Sequence, residues 1–156
     1  MNKANLQQLI LEKLTADLHT AQVALQTAHE AATHEENVAE NKYDTLGLEA
    51  GYLAHGQARR VAEIEQALAA YRALPVRDFD AGQGIGLGAL VRLENEDGSQ
   101  RHLFLGPDGA GLKVALDDVD VMTITPRSPM GQSLLGKAPG DVLEVNGQEF
   151  EVVEVR

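Results

Sequence analysis

The sequence predicts an α+β protein: an N-terminal antiparallel α-helical coiled-coil hairpin followed by a small antiparallel β domain with one short helix. Residues 1–74 contain no proline and only Gly47, Gly51 and Gly56, whereas the remaining glycines and all five prolines follow. Apolar residues of the first part recur on a three-four beat, the period of a coiled-coil seam. After Pro75 the period changes to two, as in half-buried strands. The expected organisation is residues 1–74 as the hairpin, 75–88 as a glycine-rich linker running into the first strand, and 89–156 as the C-terminal domain.

The first helix is read from Leu11, Leu14, Leu18, Ala21, Leu25, Ala28 and Ala32, and the second from Leu46, Ala50, Leu53, Gln57, Arg60, Ile64, Ala67, Tyr71 and Leu74. The break between them is expected around His34–Glu40, where no seam residue falls due. The seam is rich in alanine, and Gln57 and Arg60 interrupt it, so a slim monomeric hairpin is expected rather than an oligomer core. A long helix that dimerises is the alternative. Arms of roughly 30 residues would extend on the order of 45 Å.

In the second part, strands are expected at Gly88–Glu94, Arg101–Leu105, Leu112–Leu116, Val119–Thr125, Asp141–Val145 and Gln148–Val155. Asn95–Gly98, Gly106–Gly111 and Asn146-Gly147 supply the turns. Ser128 offers an N-cap and Pro129 the first position of a two-turn helix that Gly136 stops.

Thirteen Lys and Arg against 24 Asp and Glu give a net charge of −11, which argues against a broad basic face for duplex DNA or anionic lipid. Zero Cys removes disulfides, zinc-thiolate sites and thiol nucleophiles. The first 20 residues carry Lys3, Glu12, Lys13 and Asp17 and lack an apolar core, so no signal peptide is expected. No apolar run approaches the roughly 18 residues of a membrane span. A soluble, cytoplasmic protein with no membrane partner is the expectation.

Several motifs fail on geometry. His29 and His34 are five residues apart, so about 500° of helix separates them and they cannot share one zinc. The alternating Gly82, Gly84, Gly86 and Gly88 lead into a strand and not a helix, which fits a flexible linker better than a dinucleotide loop. Asp117, Asp118 and Asp120 lack the glycine and distal glutamate of a calcium loop. Glu35, Glu36, Glu40 and Asp44, by contrast, crowd carboxylates at the hairpin break, where hard oxygen ligands could meet a Mg²⁺ ion inside another macromolecule.

The stretch Ile124–Glu144, ITPRSPMGQSLLGKAPGDVLE, resembles the C-terminal signature of the Gre transcript cleavage factors of bacterial RNA polymerase. Ser128, Pro129, Gly131, Leu134, Leu135, Gly136, Lys137, Gly140 and Asp141 carry the likeness. Glu149–Val155 is similar to the family's last strand. Arg60–Leu68 and Glu40-Asn41-Lys42-Tyr43 look like its descending helix and tip. The C-terminal part alone would also fit the related regulator of nucleoside diphosphate kinase, but the long first part favours the Gre-length arm.

The resemblance implies an FKBP-like C-terminal domain docked at the mouth of the polymerase secondary channel, with the hairpin threaded inward. It implies polymerase contact through Ser128, Pro129, Gly131, Leu134, Leu135, Gly136 and Lys137. In the family, an Asp and a Glu three positions later help hold a second Mg²⁺, and the polymerase hydrolyses its own backtracked RNA. Aligned on Glu40-Asn41, the Glu position is Glu40 and the Asp position is Asn37, with Glu36 beside it. Aligned without gaps from Arg60, the Asp position is Glu40 and the Glu position Tyr43, with Asp44 beside it. Glu40 and Glu36 are the expected Mg²⁺ ligands, the metal being shared with polymerase and not bound by this chain alone. The expected role is an elongation factor that is not itself an enzyme, with RNA polymerase as partner and no independent sequence-specific nucleic-acid binding. DNA binding enters only by family analogy. The alternatives are a non-cleaving polymerase regulator and a coiled-coil interaction adaptor. A prolyl isomerase on the FKBP-like fold is disfavoured, because residues 75–156 offer only Phe79, Phe104 and Phe150 as aromatics.

Overall fold

Good helix formers unbroken by proline carry α1 from Lys3 to Val38 and α2 from Thr45 to Ala73. The computed structural model describes residues 1–38 and 45–156, without the side chains of 34–38, 45–47 and 50. Asn2 opens α1, its side-chain oxygen accepting from Asn5 N at 3.2 Å. No helix among the described residues is long and apolar enough to cross a membrane. The described residues fall into two compact units, Glu12–Leu68 and Met1–Leu11 with Ala69–Arg156.

In the first unit the expected beat of α1 holds. Leu14, Ala21, Ala28 and Ala32 are buried, and Leu18 and Leu25 are half-buried. The beat of α2 is shifted from the expected one. Leu53 is 58% exposed and Arg60 is exposed, while Ala54, Ile64, Ala67 and Leu68 are buried and Gln57 and Val61 half-buried. The seam therefore steps through 54, 57, 61, 64 and 68, and Val61 takes the place assigned to Arg60. This register keeps an arginine out of the seam, which removes the cost of desolvating its charge. The helix α1 also runs through His34–Val38, where the break was expected to begin, because those residues include neither glycine nor proline.

The second unit is built on a six-stranded sheet. Its strands are β1 (Leu90–Asn95), β2 (Gln100–Leu105), β3 (Lys113–Leu116), β4 (Val119–Ile124), β5 (Val142–Val145) and β6 (Gln148–Val155), with α3 (Pro129–Leu134) between β4 and β5. The spatial order is β3-β4-β2-β1-β6-β5. Antiparallel pairing dominates as expected, with one exception. Strand β4 folds back from β3 into the place beside β2 and so runs parallel to it. Two-residue turns at Asp117-Asp118 and Asn146-Gly147 close the β3–β4 and β5–β6 hairpins, with φ of 52° and 63° in the first and 53° and 78° in the second. The acidic turn noted in the sequence is thus a hairpin connection.

Alternation along β1 and β2 gives the sheet two buried faces. Val91, Leu93, Leu103 and Leu105 pack with Val152, Phe150, Leu143, Leu134 and Ile85 on one side. On the other, Leu90 pairs with Phe104, whose ring stacks on Tyr71 at 6.4 Å between centroids. Ile85 anchors the glycine-rich segment, which is not a free tether. Its N–H donates to Lys137 O at 2.9 Å and its carbonyl accepts from Gly136 N at 2.9 Å. A Cβ at Gly84 would collide with the Gly136 backbone, so close approach requires glycine there.

The ends of the helices are tied into this unit. Gln7 Nε2 donates to Tyr71 O at 2.6 Å and Leu74 O at 3.0 Å, bonding carbonyls where α2 ends, the first of which also accepts from Leu74 N. Lys3 Nζ donates to Gly88 O at 2.8 Å. The Tyr71 side chain is fully buried, and a Cβ at Gly106 would strike its hydroxyl. Thr123 lies beside the phenol, but its hydroxyl already donates to Gly109 O at 2.6 Å and accepts from Leu112 N at 2.9 Å. The phenol oxygen is buried without a hydrogen-bond partner of good geometry.

Burial pushes the Tyr71 phenol far above its usual range, against a smaller opposing effect of the Thr123 hydroxyl. The folded form therefore keeps a proton that the unfolded phenol releases near pH 10. Stability is complete below that pH and falls as pH rises above it. Near pH 11 the loss attributable to Tyr71 is expected to reach about 1 kcal/mol. Chemical denaturation of native protein and Tyr71→Phe, compared at pH 9 and 11, measures it as the part of the loss absent from the variant.

Candidate functional site

The acidic tip suggested by sequence is only partly within the described residues. Glu36 and Asn37 lie on the last turn of α1, and α2 begins at Thr45. Glu40 and Asp44, with Asn41, Lys42 and Tyr43, lie outside the described residues. Among the described residues no group of three His, Asp or Glu is placed to hold a metal ion.

The motif after β4 is described in full, and most of its residues have a local role. Ser128 caps α3: its Oγ accepts from Gly131 N at 3.0 Å and donates to Thr125 O at 2.9 Å. Pro129 occupies the first turn, where a missing N–H costs nothing. Gly131 is buried against the Thr125 carbonyl, which a Cβ would strike. Leu134 is fully buried in the core. Gly136, at φ 78°, turns the chain out of the helix. Lys137 donates through its backbone N–H to Leu134 O and accepts from Ile85 N.

Beyond the motif, Asp141 accepts from Ala138 N at 2.9 Å, and Gly140, at φ 94°, donates to Val152 O at 2.7 Å. These contacts start β5. The motif thus reads as the structural grammar of one strand–helix–strand corner. Its outward residues are Pro129, Leu135, which is 44% exposed, and Gly136, with Lys137 half-buried.

No family model matches the chain. Its similarity to individual proteins is nearly full-length. It is 28% identical to transcription elongation factor GreA of Polaromonas naphthalenivorans and 29% identical to that of Verminephrobacter eiseniae, covering 92% of this chain and 91% of each relative. Over 62% of the chain and 60% of the relative it is 33% identical to GreA of Thermotoga neapolitana. The likeness is thus to proteins of the Gre type, over nearly the whole chain.

Among solved structures, GreA factor homolog 1 of Thermus thermophilus is 27% identical to this chain, with 94% of each covered and a TM-score of 0.38. The structure adds the exposure of a further surface that the heptad pattern leaves aside. The outer side of α2 exposes Tyr52, Leu48 and Arg59, and the signal was the absence of any acid from 50 to 62.

Because the Ser128 hydroxyl satisfies an open N–H of α3, Ser128→Ala is expected to lower stability by about 1 kcal/mol. Urea denaturation should show the shift in midpoint, with Ser128→Asn close to native.

Proposed function

We propose that this chain is a transcription elongation factor that acts on RNA polymerase and is not itself an enzyme. One observation carries the reading: near full-length similarity to proteins named transcription elongation factor GreA. The helical hairpin with its acidic break, joined to a strand–helix–strand corner built by the Gre-type motif, supports it. In this reading the hairpin enters the polymerase secondary channel, and Leu135 and Lys137 are available for contact at its mouth.

Glu36, Glu40 and Asp44 each offer only oxygen donors, the chemistry that Mg²⁺ takes. Glu40 and Glu36 would hold the ion together with polymerase carboxylates. When bound there, the metal polarises water for phosphodiester hydrolysis. The chain's own part is to place negative charge at the RNA 3′ end and to exclude bulk water from the channel. Asn37 favours a second reading, a regulator that occupies the channel without promoting cleavage. A neutral amide stands at the Asp position in one register, and in the other Tyr43 stands at the Glu position.

A stalled, backtracked elongation complex with Mg²⁺ separates the two. RNA shortening is expected with native protein, and Glu40→Ala should reduce the rate by roughly 100-fold, the scale of losing a positioned charge. Intact RNA together with competition against a cleavage-competent factor would establish the non-cleaving regulator. Intact RNA without competition would remove the polymerase reading.

A further inference from the structure

The side of α2 opposite the seam has a pattern of its own. Positions 48, 52, 55, 59, 62 and 66 step alternately by four and three and therefore share one helical stripe. They hold Leu48, Tyr52, His55, Arg59, Ala62 and Gln66, and all six are exposed. Leu48 is 59% and Tyr52 74% exposed, unusual for large apolar and aromatic side chains that serve only a fold.

Charge sets the stripe apart as well. The chain carries a net −11, yet no Asp or Glu occurs from 50 to 62, where His55, Arg59 and Arg60 fall. Neither arginine forms an ion pair among the described residues. Gly51 and Gly56 leave open space where a Cβ would sit, so another backbone can approach closely.

We propose that this stripe is a docking surface for a protein partner that is apolar opposite Leu48 and Tyr52 and carboxylate-bearing opposite His55 and Arg59. It deepens the polymerase reading, on which it rests, by assigning the hairpin's grip on the channel wall to one side of α2. Aromatic and arginine side chains are the types that anchor protein interfaces. An RNA strand is the poorer occupant, because two arginines beside an apolar half neutralise few phosphates. A second copy is poorer still. Antiparallel self-pairing centred on His55 sets Arg59 against Gly51 and Arg60 against Ala50, with no carboxylate for either, and brings together two chains of net −11.

The test uses the full chain and the RNA polymerase of its own source. Equilibrium binding is expected to weaken roughly tenfold or more in Tyr52→Ala and in Arg59→Glu. Both variants should melt as the native protein does, since both side chains are exposed. Benzoylphenylalanine placed at position 52 should photo-crosslink to polymerase protein. Native affinity in both variants would overturn the stripe while leaving the polymerase reading intact. Crosslinks confined to RNA or to another copy of this chain would overturn it as well. No binding by the native chain would overturn the stripe and the polymerase reading together.

Discussion

The packing of the Tyr71 ring against Phe104 and Gly106 is the constraint on which this structure depends. The alanine-rich seam offers mostly methyl groups, so the hairpin gains little per turn from its own burial. A helix pair of that composition is held best where large side chains close it. In the unit formed by Met1–Leu11 and Ala69–Arg156, Leu6, Ile10 and Tyr71 are all fully buried. There the Gln7 amide also closes the carbonyls at the end of α2. Tyr71 gives up hydrogen bonding for this packing, and Gly106 gives up a side chain. The two concessions fit each other, since either a Cβ at 106 or a displaced phenol would open the joint.

Local chemistry was legible in the sequence wherever it is settled within a few residues. Asn146-Gly147 adopts the positive-φ pair that a two-residue hairpin requires. Ser128-Pro129 starts a helix, and Gly136 ends it, because caps are short-range devices. Features set by distant partners were not legible. The glycine-rich run reads as a tether until Gly136 and Lys137, some fifty residues on, bond to Ile85. The parallel β2–β4 pair depends on where a hairpin inserts, which no local pattern records. The seam of α2 was misphased because Leu53 is the more apolar neighbour of Ala54. The structure buries the alanine, since that choice also brings Val61 in and turns Arg60 out. Of the candidate site, the corner around α3 was readable as a motif, but not the fact that most of its residues serve the fold. The tip acids Glu40 and Asp44 lie outside the described residues.

Charge is sorted along the helical part of the chain. A hairpin that carries carboxylates at its break and an acid-free outer stripe on α2 has two chemically distinct surfaces on one element. The acids suit a metal-bearing catalytic centre, and the arginine-bearing stripe suits a carboxylate-bearing wall. In the C-terminal unit, Gly131 and Leu134 of the motif are buried and Ser128 caps α3, which leaves Pro129, Leu135 and Gly136 facing outward.

The central claim is that residue 40 reaches the polymerase active centre. The native sequence holds no cysteine, so Glu40→Cys introduces a unique attachment point for an iron chelate that generates hydroxyl radicals. Added to an elongation complex, the labelled protein is expected to cut polymerase segments around the catalytic centre and the RNA near its 3′ end. Cuts confined to the outer surface of the enzyme, or none above the level of free chelate, would contradict the account.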